Sequence, residues 1–337
     1  MHHIIKNSNT NAMKTREILF VLLTLVGVGC SPDRQTEIQQ NATPFNGIYY
    51  WKTTFALNET EKAFLEEHQV KRLYLRLFDV VPDNEVVRVD GFVCDVVPNA
   101  TITFKQEVPE GLEVVPVVYI TIDALRKMAG REGQFAQLIT ERVANMADFN
   151  ELGTIKEVQL DCDWTQRTQE NYFLLCKETS EQLRELDIQL SCTIRLWQLN
   201  LPAPPVDRGV LMLYNTGSVG RLETNNSILD INDVKPYLNS KTYSLPLDYA
   251  LPTYDWYVWL RNGQYHGLLH QFNDSLKLQP GDTLRHERAT FEQIMEVKQT
   301  VMDQLQTQSA NIIIYHLDSA NLSNYSNHEI DQIYSRD

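Results

Sequence analysis

No cluster of lysine and arginine long enough to track a phosphate backbone occurs in this chain. Acidic residues outnumber basic ones 44 to 30, for a formal charge of −14. A surface of that sign repels nucleic acid, so no nucleic-acid partner is expected. Cysteine is scarce, with five among 337 residues. No two form a C-x-x-C pair and none has a histidine at ligand spacing, which argues against a zinc site. H-x-H and H-E-x-x-H spacings are missing too, so neither a metal nor a cofactor is expected. After the first strand there is no glycine-rich phosphate loop, the feature a doubly wound nucleotide-binding sheet places there.

A membrane-spanning run is also lacking. The apolar stretch Ile18 to Val28 is too short to cross a bilayer comfortably. It follows Lys14 and Arg16 and leads through small residues into Cys30, in the order MKTREILFVLLTLVGVGC. That order resembles a bacterial lipoprotein signal, with Gly27 standing where such signals usually carry leucine. The resemblance implies that Met13 is the true start, that residues 1–30 form the signal, and that Cys30 carries the lipid anchoring the protein to a membrane. Ser31 after the cysteine implies an outer-membrane destination. An ordinary secretory signal with a chance cysteine is the alternative. Residues 31–43 (SPDRQTEIQQNAT) are polar and aperiodic, as a flexible tether would be.

What remains is rich enough for a large core, since 43% of the residues are hydrophobic and glycine and proline number only 14 and 13. From residue 44 to residue 337, strand-like and helix-like segments alternate without a linker. Strands are expected at 47–55, 70–80, 112–121, 157–164, 188–199, 209–217, 242–251 and 311–319. Helical periods fall at 58–68, 134–149, 168–186, 232–239 and 290–305. Eight strands, most followed by a helix, predict an α/β fold, a (β/α)8 TIM-like barrel. Two β-hairpin insertions, at 86–104 and at 255–269 with a turn at Asn262-Gly263, are expected to wall its mouth. Cys94, Cys162, Cys176 and Cys192 read as small buried hydrophobes, although an even number leaves disulfides open.

The stretch EVQLDCDW is the strongest functional signal. Val158, Leu160 and Cys162 alternate with Gln159, Asp161 and Asp163, so two aspartates point the same way from one strand end. Like charges so placed disfavour each other's ionisation, which marks a site. In a barrel the carboxyl ends of all strands converge. The candidates gathered there are Trp51 and Lys52, Arg76 and Asp79, Tyr119 and Asp123, Asp161 and Asp163, Arg195 and Trp197, Tyr214 and Asn215, Asp248 and Tyr254, His316 and Asp318. Carboxylates, arginines and aromatic rings together suit a carbohydrate ligand. Trp164 and Trp197 are the expected sugar platforms, each adjoining a charged residue, while His266, His270, His286 and His328 read as solvated.

Two motifs are similar to those of the chitinase-like barrels of glycoside hydrolase family 18, which carry D-x-x-D-x-D-x-E at strand four and M-x-Y-[DN] at strand six. Asp161 and Asp163 match the second and third aspartates, and Met212, Tyr214 and Asn215 match the other motif. Val158 replaces the first aspartate, and Thr165 stands where that family keeps its proton-donating glutamate. Through WKTTF, LYLRLFDV, LDCDWT and TIRLWQL the chain also resembles a group of bacterial lipoproteins with glycosidase-like barrels.

Three readings of the aspartate pair stand open. One makes Asp163 the acid/base group and Asp161 its tuner, with Asp248 or Asp318 as the partner carboxylate. A separation of about 5 Å implies retention, and roughly 6.5 to 9.5 Å implies inversion. Another has both aspartates and His316 hold a divalent metal. The last pairs them with Arg76 and Arg195 in a network that binds sugar or only braces the barrel. A glycoside hydrolase and a catalytically silent glycan-binding lipoprotein are the corresponding functions.

Overall fold

A computed structural model describes residues 44–89, 91–238, 242–270, 277–305 and 311–336, and it is a closed barrel. The signal, Cys30 and the tether lie outside the described residues, as does the side chain of Cys94. Eight parallel strands form the ring in chain order: β1 Asn46–Tyr50, β2 Val70–Val89, β3 Glu113–Ile120, β4 Glu157–Asp161, β5 Gln189–Arg195, β6 Arg208–Met212, β7 Leu247–Pro252 and β8 Ile312–Tyr315. β8 pairs with β1, and β1 with β2, which closes the circle. This is the (β/α)8 barrel anticipated from the alternation of segments.

The strands are buried on both faces, as a parallel sheet covered by helices requires. In β4 every residue is buried, the outward Val158 and Leu160 at 2% and 0% exposure. Helices α1 (Glu59–Glu67), α2 (Glu132–Phe149), α3 (Gln169–Arg184), α4 (Phe291–Gln304) and α5 (Asn327–Tyr334) supply much of the outer layer. Each buries the stripe its periodicity predicts, such as Phe135, Ile139 and Val143 in α2. Cys162, Cys176 and Cys192 are free buried thiols within this layer, and burial pushes the Cys192 thiol up to about 12.

Asn58 starts α1 with a reciprocal cap. Its Oδ1 accepts from the Glu61 N–H at 2.9 Å, and Glu61 Oε2 accepts from the Asn58 N–H at 3.1 Å. Asn58→Ala is expected to lower unfolding stability by about 1 kcal/mol in a denaturant titration.

Several strands end earlier than their apolar character suggests. β5 stops at Arg195, and Leu196–Asn200 is a 3₁₀ turn. β7 begins only at Leu247, after a bend at residues 244–245 and Pro246, which has no N–H to donate to the ladder. No helix follows β2. That strand instead continues past the ring and turns back as Phe92–Asn99, forming the first hairpin. The second insertion is a three-stranded sheet of Asp255–Arg261, Gln264–Leu269 and Asp282–Arg288. Its first turn has positive φ at both Asn262 and Gly263, the twist that two-residue hairpins prefer. Its third strand was not legible, because Asp282–Arg288 has neither alternation nor an apolar run.

Candidate functional site

The inward column of β4 is polar along its whole length. Glu157 lies near the amino end, Gln159 in the middle, and Asp161 at the carboxyl end, with Asp163 continuing the series beyond the strand. The middle of the barrel is tied by hydrogen bonds: the Tyr49 hydroxyl donates to Gln159 Oε1 at 2.7 Å, and Gln159 Nε2 donates to Ser191 Oγ at 3.3 Å. Two separate charged layers sit above and below it.

In the upper layer, Arg195 holds Asp163 in a two-pronged ion pair, its Nη2 donating to Oδ2 at 2.8 Å and its Nε to Oδ1. Arg76 holds Asp79 in the same way, Nε to Oδ1 at 2.7 Å and Nη2 to Oδ2, and its guanidinium lies 5.4 Å from the Trp51 ring centre. Asp161 differs. It is 5% exposed, accepts from the Thr193 hydroxyl at 2.6 Å, and forms no ion pair with lysine or arginine among the described residues. Burial, and then the neighbouring charge of Asp163, push its carboxyl up to about 6. Tyr119 stands beside the pair, raised to about 12 by burial and then by the charges of Asp163 and Asp161.

Next to this layer is a cavity of about 470 Å³ bordered by Trp51, Lys52, Asn215, Tyr315, His316 and Asp318, with Tyr254 and Trp256 from the seventh strand's loop. Tyr315 joins the two regions. Its ring stacks on Tyr214 at 4.7 Å between centres and meets Trp51 and Tyr254, each at 5.6 Å, while its hydroxyl feels the charges of Asp161, Arg76 and Arg195. Asn215, at positive φ, accepts the Tyr254 hydroxyl proton at 2.6 Å. Burial pulls His316 down to about 4, so its imidazole is neutral at neutral pH. Asp318 caps a short helix through the Ala320 and Asn321 amides and pairs with Lys52. Burial works to raise it, but Lys52 and the amide outweigh that and leave it low.

The structure thus places Arg76, Asp79, Tyr119, Asp161, Asp163 and Arg195 on one side of the mouth, and Trp51, Asn215, His316 and Asp318 on the other. Several expected members are elsewhere. Asp248 is the second residue of β7, fully buried at the opposite end, where Arg208 Nη1 lies 2.7 Å from its Oδ2 and Asn311 donates twice to its Oδ1. The early start assumed for that strand had carried it toward the mouth. Trp164 is fully buried against Tyr172, Phe173 and Trp197, so it is core rather than platform. Trp197 is partly buried on the 3₁₀ turn, edge-on to Trp164, and Tyr214 is 4% exposed. Asp123 faces outward with Arg126. Trp256 and His270 border the cavity instead, the latter having been read as merely solvated. Thr193 and Glu287 carry no recognisable signal in the sequence. Glu287 is 2% exposed and accepts from Trp256 Nε1 at 2.8 Å and the Ser227 amide at 3.0 Å, so it positions the cavity wall. Among the described residues no group of three or more His, Cys, Asp or Glu side chains is arranged to hold a metal ion.

A closed ring of eight parallel strands, with carboxylates, arginines and aromatic rings at their carboxyl ends, makes this a (β/α)8 barrel with a polar, aromatic mouth. No protein-family model matches the chain, and no curated protein matches its sequence. Among solved structures, its fold is similar to that of the spore cortex-lytic enzyme SleL of Bacillus megaterium QM B1551, with 11% identity, a TM-score of 0.52, and 87% of this chain and 75% of that one covered. It is equally similar to a chitinase from Chromobacterium violaceum ATCC 12472, at 10% identity and a TM-score of 0.52, covering 84% of this chain and 98% of that one. A family 18 chitinase mutant from Cycas revoluta in complex with (GlcNAc)4 aligns at 10% identity and a TM-score of 0.51, covering 86% and 100%. At such identities the likeness establishes the fold, and the chemistry has to be argued from this chain's residues.

Proposed function

We propose that this protein is a lipid-anchored carbohydrate-active protein of the bacterial envelope, facing the periplasm or the cell surface, and that it hydrolyses a glycosidic bond with Asp161 as its acid/base group. The reading rests on one observation: Asp161 is a buried carboxylate at the carboxyl end of β4 that forms no ion pair with arginine or lysine among the described residues, and its pKa of about 6 lets it hold and release a proton near neutrality. Asp163, clamped by Arg195, is then a positioning residue, which reverses the roles assigned from the motif. In the proposed step Asp161 gives its proton to the leaving oxygen as the anomeric C–O bond breaks. Water adds to the anomeric carbon and returns a proton to the Asp161 carboxylate. Trp51 and Tyr315 from the cavity wall stack against the sugar and Asn215 orients its hydroxyls, while Arg76, 5.4 Å from the Trp51 ring centre, does so from the adjoining layer. The placement in the envelope rests on the signal-like residues 13–30 and on Cys30 as the lipidated residue.

One observation favours the silent binder. Thr165 occupies the position of the family's glutamate, and its amide donates to Thr168 Oγ1 at 2.9 Å, so no carboxyl stands at that point. Incubation of the protein with a broad oligosaccharide panel separates the two: release of new reducing ends supports the hydrolase, saturable binding without release supports the binder, and neither result sinks both.

A further inference from the structure

The mouth cavity is rich in hydrogen-bond acceptors and its cation is already taken. Lys52 lies between two carboxylates, 2.6 Å from Glu61 and 3.1 Å from Asp318, so one ammonium serves two anions. Asp255, another lining residue, meets His286 Nε2 at 3.1 Å and pairs with no lysine or arginine among the described residues. His316 borders the same space, and its Nδ1 is sealed from solvent without a hydrogen-bond partner. Trp51, Tyr254 and Tyr315 add aromatic rings to the lining. Aromatic faces beside carboxylates form the surroundings in which an ammonium group is held.

We propose that this cavity takes the free, protonated amine of an amino sugar, so that the glycan recognised carries unacylated amino groups. The inference deepens the carbohydrate reading above and rests on it. An ammonium supplies a further donor to Asp255 and the positive charge that Lys52, shared between Glu61 and Asp318, does not supply alone. An acylated amine is neutral and brings a single N–H. A uronate or sulfate brings charge of the wrong sign into an acidic mouth on a chain of net charge −14. The volume of about 470 Å³ falls in the range of small-ligand sites.

Calorimetric titration of the full-length protein with equal-length oligomers of glucosamine, N-acetylglucosamine and galacturonic acid, at low and at high salt, tests the idea. The glucosamine oligomer is expected to bind about tenfold more tightly than its acetylated counterpart at low salt, with the advantage shrinking as salt is added and with no binding of the galacturonate. Asp255→Asn is expected to narrow the advantage to about threefold. Equal or tighter binding of the acetylated oligomer, or an advantage indifferent to salt, overturns the amine assignment and leaves the glycan reading standing. If none of the three binds, both readings fall.

Discussion

Asp161→Asn is expected to abolish glycoside hydrolysis and at the same time to make the protein more stable at alkaline pH. The loss of turnover follows from removing the proton donor, worth about 10²- to 10⁴-fold in rate for a positioned acid/base group. The gain in stability follows from the cause of its pKa. The folded protein holds the Asp161 proton more tightly than the unfolded chain does, at about 6 against an ordinary 3.8. The stability this contributes is fully present below pH 3.8 and is lost as pH rises through about 6. Above that, the wild-type protein carries a buried, unpaired carboxylate at a cost of about 3 kcal/mol by linkage. Asparagine keeps the acceptor for Thr193 without the charge. Urea titrations of the two proteins should therefore coincide at acidic pH and separate at alkaline pH, the variant being more stable. The wild-type kcat/KM should fall above pH about 6 as the acid form is lost. A variant less stable than wild type at alkaline pH would remove the desolvation argument, and retained turnover would remove the catalytic one.

Asp248→Asn is expected to do the opposite, destabilising the barrel by about 3–5 kcal/mol while leaving turnover intact wherever the variant is folded. At the amino ends of the strands, Arg72 bridges Glu113 at 2.6 Å and Glu157 at 2.8 Å, and Arg208 pairs with Asp248. Asp248 is fully buried, so neutralising it takes from the Arg208 guanidinium the carboxylate it is hydrogen-bonded to. Burial works against the Arg208 charge, and Asp248 and Glu157 more than offset it. Replacing both members, as Arg208→Met with Asp248→Leu, should recover much of the loss, because an apolar pair of similar bulk needs no compensation. A fall in kcat at temperatures where Asp248→Asn is fully folded would place this residue back in the chemistry.

How much of this was legible in the sequence depends on how far apart the interacting groups lie along the chain. The eight strands and the hairpin turn at Asn262-Gly263 are local patterns, and the structure reproduces them. The convergence of Arg76, Asp161, Asp163 and Arg195 followed once a barrel was assumed, because inward positions near the ends of parallel strands must meet. Pairing did not follow. Nothing in LDCDWT indicates that Asp163 is matched by an arginine on the next strand while Asp161 is not. Strand starts were the other weak point, and a shift of a few residues at β7 was enough to carry Asp248 from the floor of the barrel to its mouth.

The chain by itself determined the fold class, the acidic character and the presence of two aspartates on one strand face, since periodicity and charge are properties of neighbouring residues. Which aspartate stays unpaired, which tryptophans line a cavity and which close the core, and where Lys52 spends its charge were decided only by tertiary structure. Those outcomes depend on burial and on distances between strands, to which residues far apart in the chain contribute.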